Sequence, residues 1–383
     1  MSRTACKTIV IVFLGMIFAV PVSQAVWEKA AEHETPRVLS LFKKTPTGEN
    51  LRSFEKDLEE SSWVAEAIRP IYRQARWLLL RDLGDKAVPG ADGWAYYHPD
   101  IRYLGEAYFR ARKPESPTED PAIVIADFAE QLGHRGIHLL VVPVPSKPAV
   151  APERLRRGLA PSLDLDTHTR HFVGELRGRG LDVFDLHAAF VAQRLAYPDG
   201  PPLYLAADTH WTGEGVRLAA SLLAARVRAA VGAEPLQPSR SYRREAVAVP
   251  RRPDIPRMSR LPGEATAFPK ETTTVFRVLD QEGEPYADDD EAQLLLLGDS
   301  FSRIYQTDEP EAAGLIANLA YELQTPLSSI VNDGGASTLV RQELARNLDL
   351  LHGKRIVIWA FAERDLRFGL QGWQKIALEE NSP

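Results

Sequence analysis

The chain has 383 residues, a formal net charge of −6 and 44% hydrophobic residues. That size and apolar content support one large domain with additions, or two domains, around a real core, and exclude a disordered chain or a disulfide-stapled mini-protein. The acidic balance argues against a general nucleic-acid binder, and the only cysteine, Cys6, can form neither an internal disulfide nor a zinc cluster.

Arg3 and Lys7 precede the apolar run TIVIVFLGMIFAVPVSQA, Thr8 to Ala25, which ends among the small residues Ser23 and Ala25. A basic end, an apolar stretch and small residues spell an export signal over residues 1–25, either cleaved after Ala25 or kept as a signal anchor. The apolar part is short for a full bilayer span. The positive end is expected to stay cytoplasmic and the body to be exported.

Residues 26–89 read as an N-terminal helical extension. Within it, ENLRSFEKDLEESSWVAEAIRPIYRQARWLLLRD, 49–82, alternates charged and apolar residues at helical spacing, with an interruption expected near Pro70. GADGWAYYHPD, 90–100, is a turn followed by an aromatic strand or loop. Then helix and strand alternate. Residues 121–136 read as a helix, IHLLVVPVPSK (137–147) as a buried strand running into a loop, 169–177 as a helix, and LDVFDLHAAF (181–190) as a strand entering a helical turn. Thr212 is a natural N-cap for an alanine- and leucine-rich helix over 214–230 that stops near Gly232.

Residues 234–291 differ. Seven arginines lie between Arg240 and Arg260, and five prolines between Pro238 and Pro262. An insertion or long irregular connection is expected there, with a hairpin candidate around 272–279. Regular patterning resumes at AQLLLLGDSFSR, where a short apolar run bounded by Gly298 fits a fully buried strand. From Ile304 onward the chain is expected to contain a helix that runs to about Tyr321. SSIVNDGGAS (328–337) gives a short strand and a glycine-rich turn, a helix follows, and GKRIVIWAFAERDL (353–366) closes with another strand. This alternation predicts an α/β fold with a mostly parallel sheet covered by helices. Open sheets of this kind bind ligands outside the carboxyl ends of their strands, where Ser300, Asn332 and Glu363 all fall.

A serine hydroxyl is a poor nucleophile at neutral pH until an imidazole accepts its proton and a carboxylate orients that imidazole. Gly298-Asp299-Ser300 supplies a tight strand-to-helix turn whose backbone N–H groups can face a developing oxyanion. ADTHW supplies Asp208 and His210, two residues apart, so that both side chains of an extended loop point to one side. Taken alone, either block is ordinary: an Asp helping to cap a helix, a His satisfied locally, a serine leaving a strand. Together they make a candidate triad of Ser300, His210 and Asp208.

GDSFS resembles the serine block of the SGNH/GDSL hydrolase superfamily, and DTHWT resembles the Asp-His block of its alginate O-acetyltransferase branch, the AlgJ/AlgX/AlgV family. DGWAYY, VPVPSK, NDGGAS and VIWAFAERDL resemble further blocks, so the likeness runs from about Asp92 to Leu366. It implies an SGNH hydrolase-like three-layer domain over 90–383, with the block order Asp, His, Ser rather than serine first, and with the insertion at about 234–291 inside it. With no further carbohydrate-binding module recognisable, the chain resembles the AlgJ type more than the longer AlgX type.

The resemblance implies that Ser300 is the nucleophile, His210 the base and Asp208 its partner. The implied reaction transfers an acetyl group through an acetyl-serine to mannuronate hydroxyls of alginate or polymannuronate. It implies a periplasmic location, associated with or anchored to the inner membrane, a membrane-bound O-acyltransferase as acetyl supplier, and other periplasmic alginate-complex proteins as partners. No motif marks a coenzyme A, nucleotide or metal site, and no cofactor is expected. Ser302 is a second hydroxyl, and Asp299 is expected to brace the turn. Asn332, Gly334 and Gly335 are candidate oxyanion contacts. Arg303 is a candidate for a uronate carboxylate, Trp211 and Lys147 for the substrate pocket. His98, Glu363 and Arg364 are weaker pocket candidates, with a surface Glu-Arg pair the simpler reading of the last two. Two other functions fit less of the pattern: a polysaccharide acetyl esterase, in which water discharges the same acyl-enzyme, and a non-catalytic scaffold or polysaccharide-binding subunit of an export complex.

Overall fold

The computed structural model describes residues 3–32, 36–43, 45–108, 119–165, 167–232, 234–263 and 267–379. The chain divides into two compact units, Met1–Asp82 with Arg260–Pro262, and Leu83–Ser259 with Gly263–Pro383.

The first unit is helical: an apolar helix Arg3–Trp27, short helical turns at Glu28–Glu32 and Arg37–Phe42, then helices Gly48–Ser61 and Trp63–Leu80. The interruption expected near Pro70 falls instead at Ser62. Its extended backbone ends one helix, and its side chain caps the next by accepting from the N–H of Ala65 at 3.3 Å. Pro70 stays inside the second helix. Its missing N–H deprives the carbonyl of Glu66, and both residues are exposed, so that carbonyl is open to solvent.

The second unit is built on strands β1 (Ala87–Pro89), β2 (Ala95–Tyr97), β3 (His138–Val144), β4 (Asp182–Val183), β5 (Arg243–Arg251), β6 (Glu271–Leu279), β7 (Leu294–Gly298), β8 (Ser328–Val331) and β9 (Ile356–Ala362). Five of them form one all-parallel sheet in the order β4-β3-β9-β7-β8. The run of four leucines is explained by this position. Leu294 and Leu296 enter the core on one face of the sheet, Leu295 and Leu297 the core on the other, and all four are buried. Helices Gly213–Val231 and Leu315–Leu323 cover the first face. Pro121–Gly133, Thr167–Gly178 and Leu339–Arg346 cover the second. The result is the expected three-layer α/β arrangement.

Two stretches depart from expectation. In the arginine- and proline-rich region the hairpin candidate at 272–279 is a single strand, β6, paired antiparallel over nine residues with β5 rather than with a neighbouring turn, and a short helix Asp254–Met258 lies between them. Alternation along ETTTVFRVL buries Thr273 and Val275 against the covering helix, a period that the neighbouring charges and prolines obscure. The helix expected from Ile304 onward begins only at Leu315. Residues 304–314 fold back on themselves, with the N–H groups of Ala312 and Ala313 donating to the carbonyls of Gln306 and Tyr305, both at 2.9 Å.

Candidate active site

Ser300 stands two residues beyond the end of β7, at the start of the helical turn Ser300–Arg303. Asp299 caps that turn by accepting from Phe301 N at 2.9 Å, and its other oxygen accepts from Ala362 N at 2.8 Å, which ties the end of β7 to the end of β9. Gly298 is required by close approach: a Cβ there would lie 2.3 Å from the Ser302 hydroxyl oxygen. The turn is thus folded tightly back on its strand, leaving Ser300 partly exposed while Phe301 and Ser302 are buried.

The second block arrives on the loop before helix Gly213–Val231. Thr212 caps this helix, accepting from Gly215 N at 3.2 Å. Gly213 lets its start press onto β6, where a Cβ would fall 2.1 Å from the carbonyl oxygen of Thr274. The loop ahead of it brings His210 Nε2 to 2.9 Å from Ser300 Oγ, and His210 Nδ1 to 2.7 Å from Asp208 Oδ1. Asp208 also accepts the backbone N–H of His210 at 3.1 Å, so the two-residue spacing is closed by both ring and backbone. The geometry is that of a serine–imidazole–carboxylate relay.

Charge in this cluster is set by competition. Burial alone would raise the Asp208 carboxyl, but the hydrogen bond and charge of His210 outweigh it and hold the group down to about 2. Burial would lower His210, yet the bond to Asp208 and the charges of Asp208 and Asp254 leave it raised. The imidazole is therefore a stronger base than a free one.

Asp254 carries no local sequence signal and is the principal residue missed. Its backbone N–H donates to Asp208 Oδ2 at 3.2 Å, and its carboxylate accepts from Thr209 N at 2.8 Å and from the Thr209 hydroxyl. That carboxylate lies 3.7 Å from His210 Nδ1. Burial, then the nearby charge of Asp208, raise its pKa. Only its seat between Pro253 and Pro256, which stiffen the turn, could have flagged it. Phe301 packs its ring 5.2 Å from the His210 ring, and the Glu271 carboxylate accepts Ala206 N at 2.8 Å; neither is predicted from the sequence. Asp208, His210 and Asp254 present atoms within 4.8 Å of one another that could ligate a cation. Each is already engaged, Asp208 with His210 and Asp254 with Thr209, so a cation would have to displace the relay.

The remaining candidates fall into two groups. Lys147 is buried, and its ammonium donates to the carbonyls of Ala95, Leu205 (3.1 Å), Ala206 (2.9 Å) and Asp208 (2.8 Å). Burial lowers its pKa to about 8. It holds the loop from behind rather than facing a ligand. Trp211 is fully buried, edge-on to Phe301 at 5.2 Å, and belongs to the core. Glu363 and Arg364 are not a surface pair. Glu363 is buried and accepts from Ser146 N and Thr169 Oγ1, both at 2.8 Å, while Arg364 donates to Asp100 at 3.0 Å. Arg303 is committed to Asp333 and Asp308, each at 2.8 Å. His98 bonds the carbonyl of Asp85 at 2.8 Å. Asn332 does flank the serine turn, donating its N–H to Gly298 O at 3.1 Å. Gly335 N donates to Asn332 O at 3.0 Å, so both amides are occupied, and Gly334 is an exposed positive-φ residue at the tip of that turn.

A parallel three-layer sheet that presents a serine at the exit of one strand, within reach of an Asp-His pair, defines an SGNH hydrolase-like protein. Residues 87–363 match the family described as the SGNH hydrolase-like domain, acetyltransferase AlgX, and the chain belongs to this AlgJ/AlgX family. A Pseudomonas aeruginosa protein described as a probable alginate O-acetylase AlgJ is 26% identical over 181 residues, which span 47% of this chain and 43% of that protein. Among solved structures, the O-acetyltransferase domain of Pseudomonas putida AlgJ superposes with a TM-score of 0.56 at 21% identity, covering 73% of this chain and 92% of that one. Pseudomonas aeruginosa AlgX gives 0.51 at 17% identity, covering 72% and 62%.

Proposed function

We propose that the chain is a serine-dependent polysaccharide O-acetyltransferase that acts on mannuronate hydroxyls of alginate or its polymannuronate precursor. The observation that carries this reading is the continuous hydrogen-bonded path from Ser300 Oγ through His210 to Asp208, at 2.9 and 2.7 Å, in a member of the AlgJ/AlgX family. His210 takes the Ser300 proton as Oγ attacks the carbonyl carbon of an acetyl ester. The tetrahedral oxyanion forms, collapses to acetyl-Ser300, and the donor alcohol leaves with the proton from His210. A sugar hydroxyl then attacks the acetyl-serine while His210 accepts its proton, and Ser300 is regenerated as the acetyl sugar departs. The backbone N–H of Ser300 and the side-chain amide of Asn332 are the oxyanion donors in this reading. The Asp208 carboxylate orients the imidazole and stabilises its charged form. The protein works in the periplasm beside the membrane, supplied with acetyl groups by a membrane-bound O-acyltransferase and grouped with other proteins of alginate acetylation.

Incubation with a chromogenic acetyl ester and mannuronate oligomers tests the reading by mass spectrometry. Oligomers that gain the mass of one acetyl group support transfer. Donor consumption with unchanged sugar identifies an esterase instead. Ser300→Ala is expected to abolish acyl-enzyme formation, a loss of at least about 10⁴-fold in kcat, with an unchanged thermal midpoint. Sugar acetylation that survives this substitution would mark the chain as a scaffold for another enzyme.

A further inference from the structure

The helix Trp63–Leu80 carries an apolar stripe that its own unit leaves uncovered. Val64, Ile68, Ile71, Tyr72, Leu78 and Leu79 recur at i, i+4, i+7, i+8, i+14 and i+15, which places them on one face of about 120°. Ile68, Ile71, Tyr72, Leu78 and Leu79 are between 54% and 80% exposed, and no residue of the helix is fully buried. Arg69, Arg73 and Arg76 flank it and are half-buried, Arg69 bonded to Glu59 and Arg76 to Asp82, while the exposed Leu80 extends the apolar surface toward them. An exposed contiguous stripe of this kind marks a surface that something apolar covers.

What covers it is indicated by the helix it is joined to. The run 8–25 reads as short for a span, but the helical stretch Cys6–Ala30 extends it to 25 residues with a mean hydropathy of 2.4 over its most apolar window, of which 6% is buried, so by length and composition it is able to cross a bilayer. Its far end is built into the same unit. Gln24 is buried and accepts the backbone N–H of Trp63 at 3.0 Å, while its amide donates to Ser61 O and to Glu28, both at 2.9 Å. The first residue of the striped helix is therefore fixed to the point where the apolar helix turns polar, which is where a bilayer surface falls once that helix is inserted. A groove of about 250 Å³ between Val20 of the apolar helix and Val64, Ile68 and Tyr72 of the striped one is walled almost wholly by carbon, with Arg69 also lining it.

We infer that the helix Trp63–Leu80 lies in the surface of a phospholipid bilayer, its Ile68–Ile71–Leu78–Leu79 face in the acyl boundary and its Arg73 side turned away from the acyl chains. This goes beyond acetyl transfer and rests only on insertion of the apolar helix. The test uses the full chain in phosphatidylethanolamine–phosphatidylglycerol vesicles, on a Cys6→Ser background, with an environment-sensitive fluorophore on Ile71→Cys, Leu79→Cys or Arg73→Cys. Near-ultraviolet circular dichroism checks that each labelled chain is folded. Probes at 71 and 79 are expected to shift to the blue and to lose about half their emission to lipid-borne spin labels, while resisting iodide; the probe at 73 should behave in the opposite way. Chains that co-float with vesicles but show iodide-accessible probes at 71 and 79 would overturn the inference while leaving the anchor intact. Probes protected from both quenchers would point to a protein covering the stripe, and chains that do not co-float would remove the premise. Either result also overturns it.

Discussion

The serine turn and the Asp-His loop meet across 2.9 Å, but they are held by different means. Ser300 is placed by backbone geometry: a strand buried on both faces, a glycine that permits close folding, and an Asp299 cap that bonds the neighbouring strand. Asp208 and His210 sit on a loop without regular structure, held by polar side chains, the buried Lys147 behind it, the half-buried Glu271 beneath Ala206 and the buried Asp254 beside it. A turn set by a strand is robust to single side-chain changes. A loop set by buried charges is not, because each lost partner leaves another buried group unsatisfied.

After loss of the Ser300 hydroxyl itself, the largest expected effect comes from breaking the relay on the loop side. His210 must be neutral to accept the Ser300 proton, so activity rises with pH through its folded pKa. That value is raised above the ordinary value of about 6.5, because Asp208 and Asp254 overcome the lowering effect of burial. Asp208→Asn removes the strongest raising partner and leaves burial in control. The acid limb of the pH–rate profile should move to lower pH, while the maximal rate falls by about 10³- to 10⁴-fold. An acid limb that stays in place would show that Asp208 does not set the basicity of His210.

Lys147→Met comes next and acts on the loop as a whole. It withdraws one ammonium from four carbonyls, including that of Asp208 itself. We expect a stability loss of about 3 kcal/mol, read in urea unfolding, and reduced activity in the fraction that stays folded. A variant as stable as the parent would mean that the loop does not depend on this cage. Asp254→Asn should be milder. It keeps the shape but weakens the bonds to Thr209 and removes one negative charge 3.7 Å from His210 Nδ1. A roughly tenfold fall in kcat, an unchanged KM and a small shift of the acid limb to lower pH are expected. A change confined to KM would assign Asp254 to substrate binding instead.

The same division explains what could be read from the sequence. The parallel sheet, the buried strand ending at Gly298 and the helix capped by Thr212 follow from local patterning, and both halves of the candidate relay sit next to such elements. Asp254 does not. It reaches the site because β5 and β6 pair over a long connection, and that pairing is masked by the arginines and prolines of its strands. Lys147 and Arg303 show the converse error. A cation in a promising motif reads as a substrate contact, but three-dimensional packing gives one to backbone carbonyls and the other to Asp333 and Asp308. Charge on a residue is legible in one dimension; which neighbour neutralises it is not.

The smallest effect separates two hydroxyls on one turn. Ser302 lies two residues from Ser300, is fully buried, and its oxygen has no hydrogen-bond partner among the described residues. It packs where a Gly298 side chain would otherwise go. Ser302→Ala removes an unsatisfied buried hydroxyl without opening a cavity larger than one oxygen. Activity should stay within about twofold, and stability should be unchanged or higher by up to about 1 kcal/mol. Steady-state kinetics and thermal unfolding of this variant, beside Ser300→Ala, test whether the strand exit delivers one reactive serine. A large loss of activity at Ser302 with the fold intact would show that the turn's second hydroxyl takes part in the chemistry, and that backbone placement of Ser300 is only half of what the turn supplies.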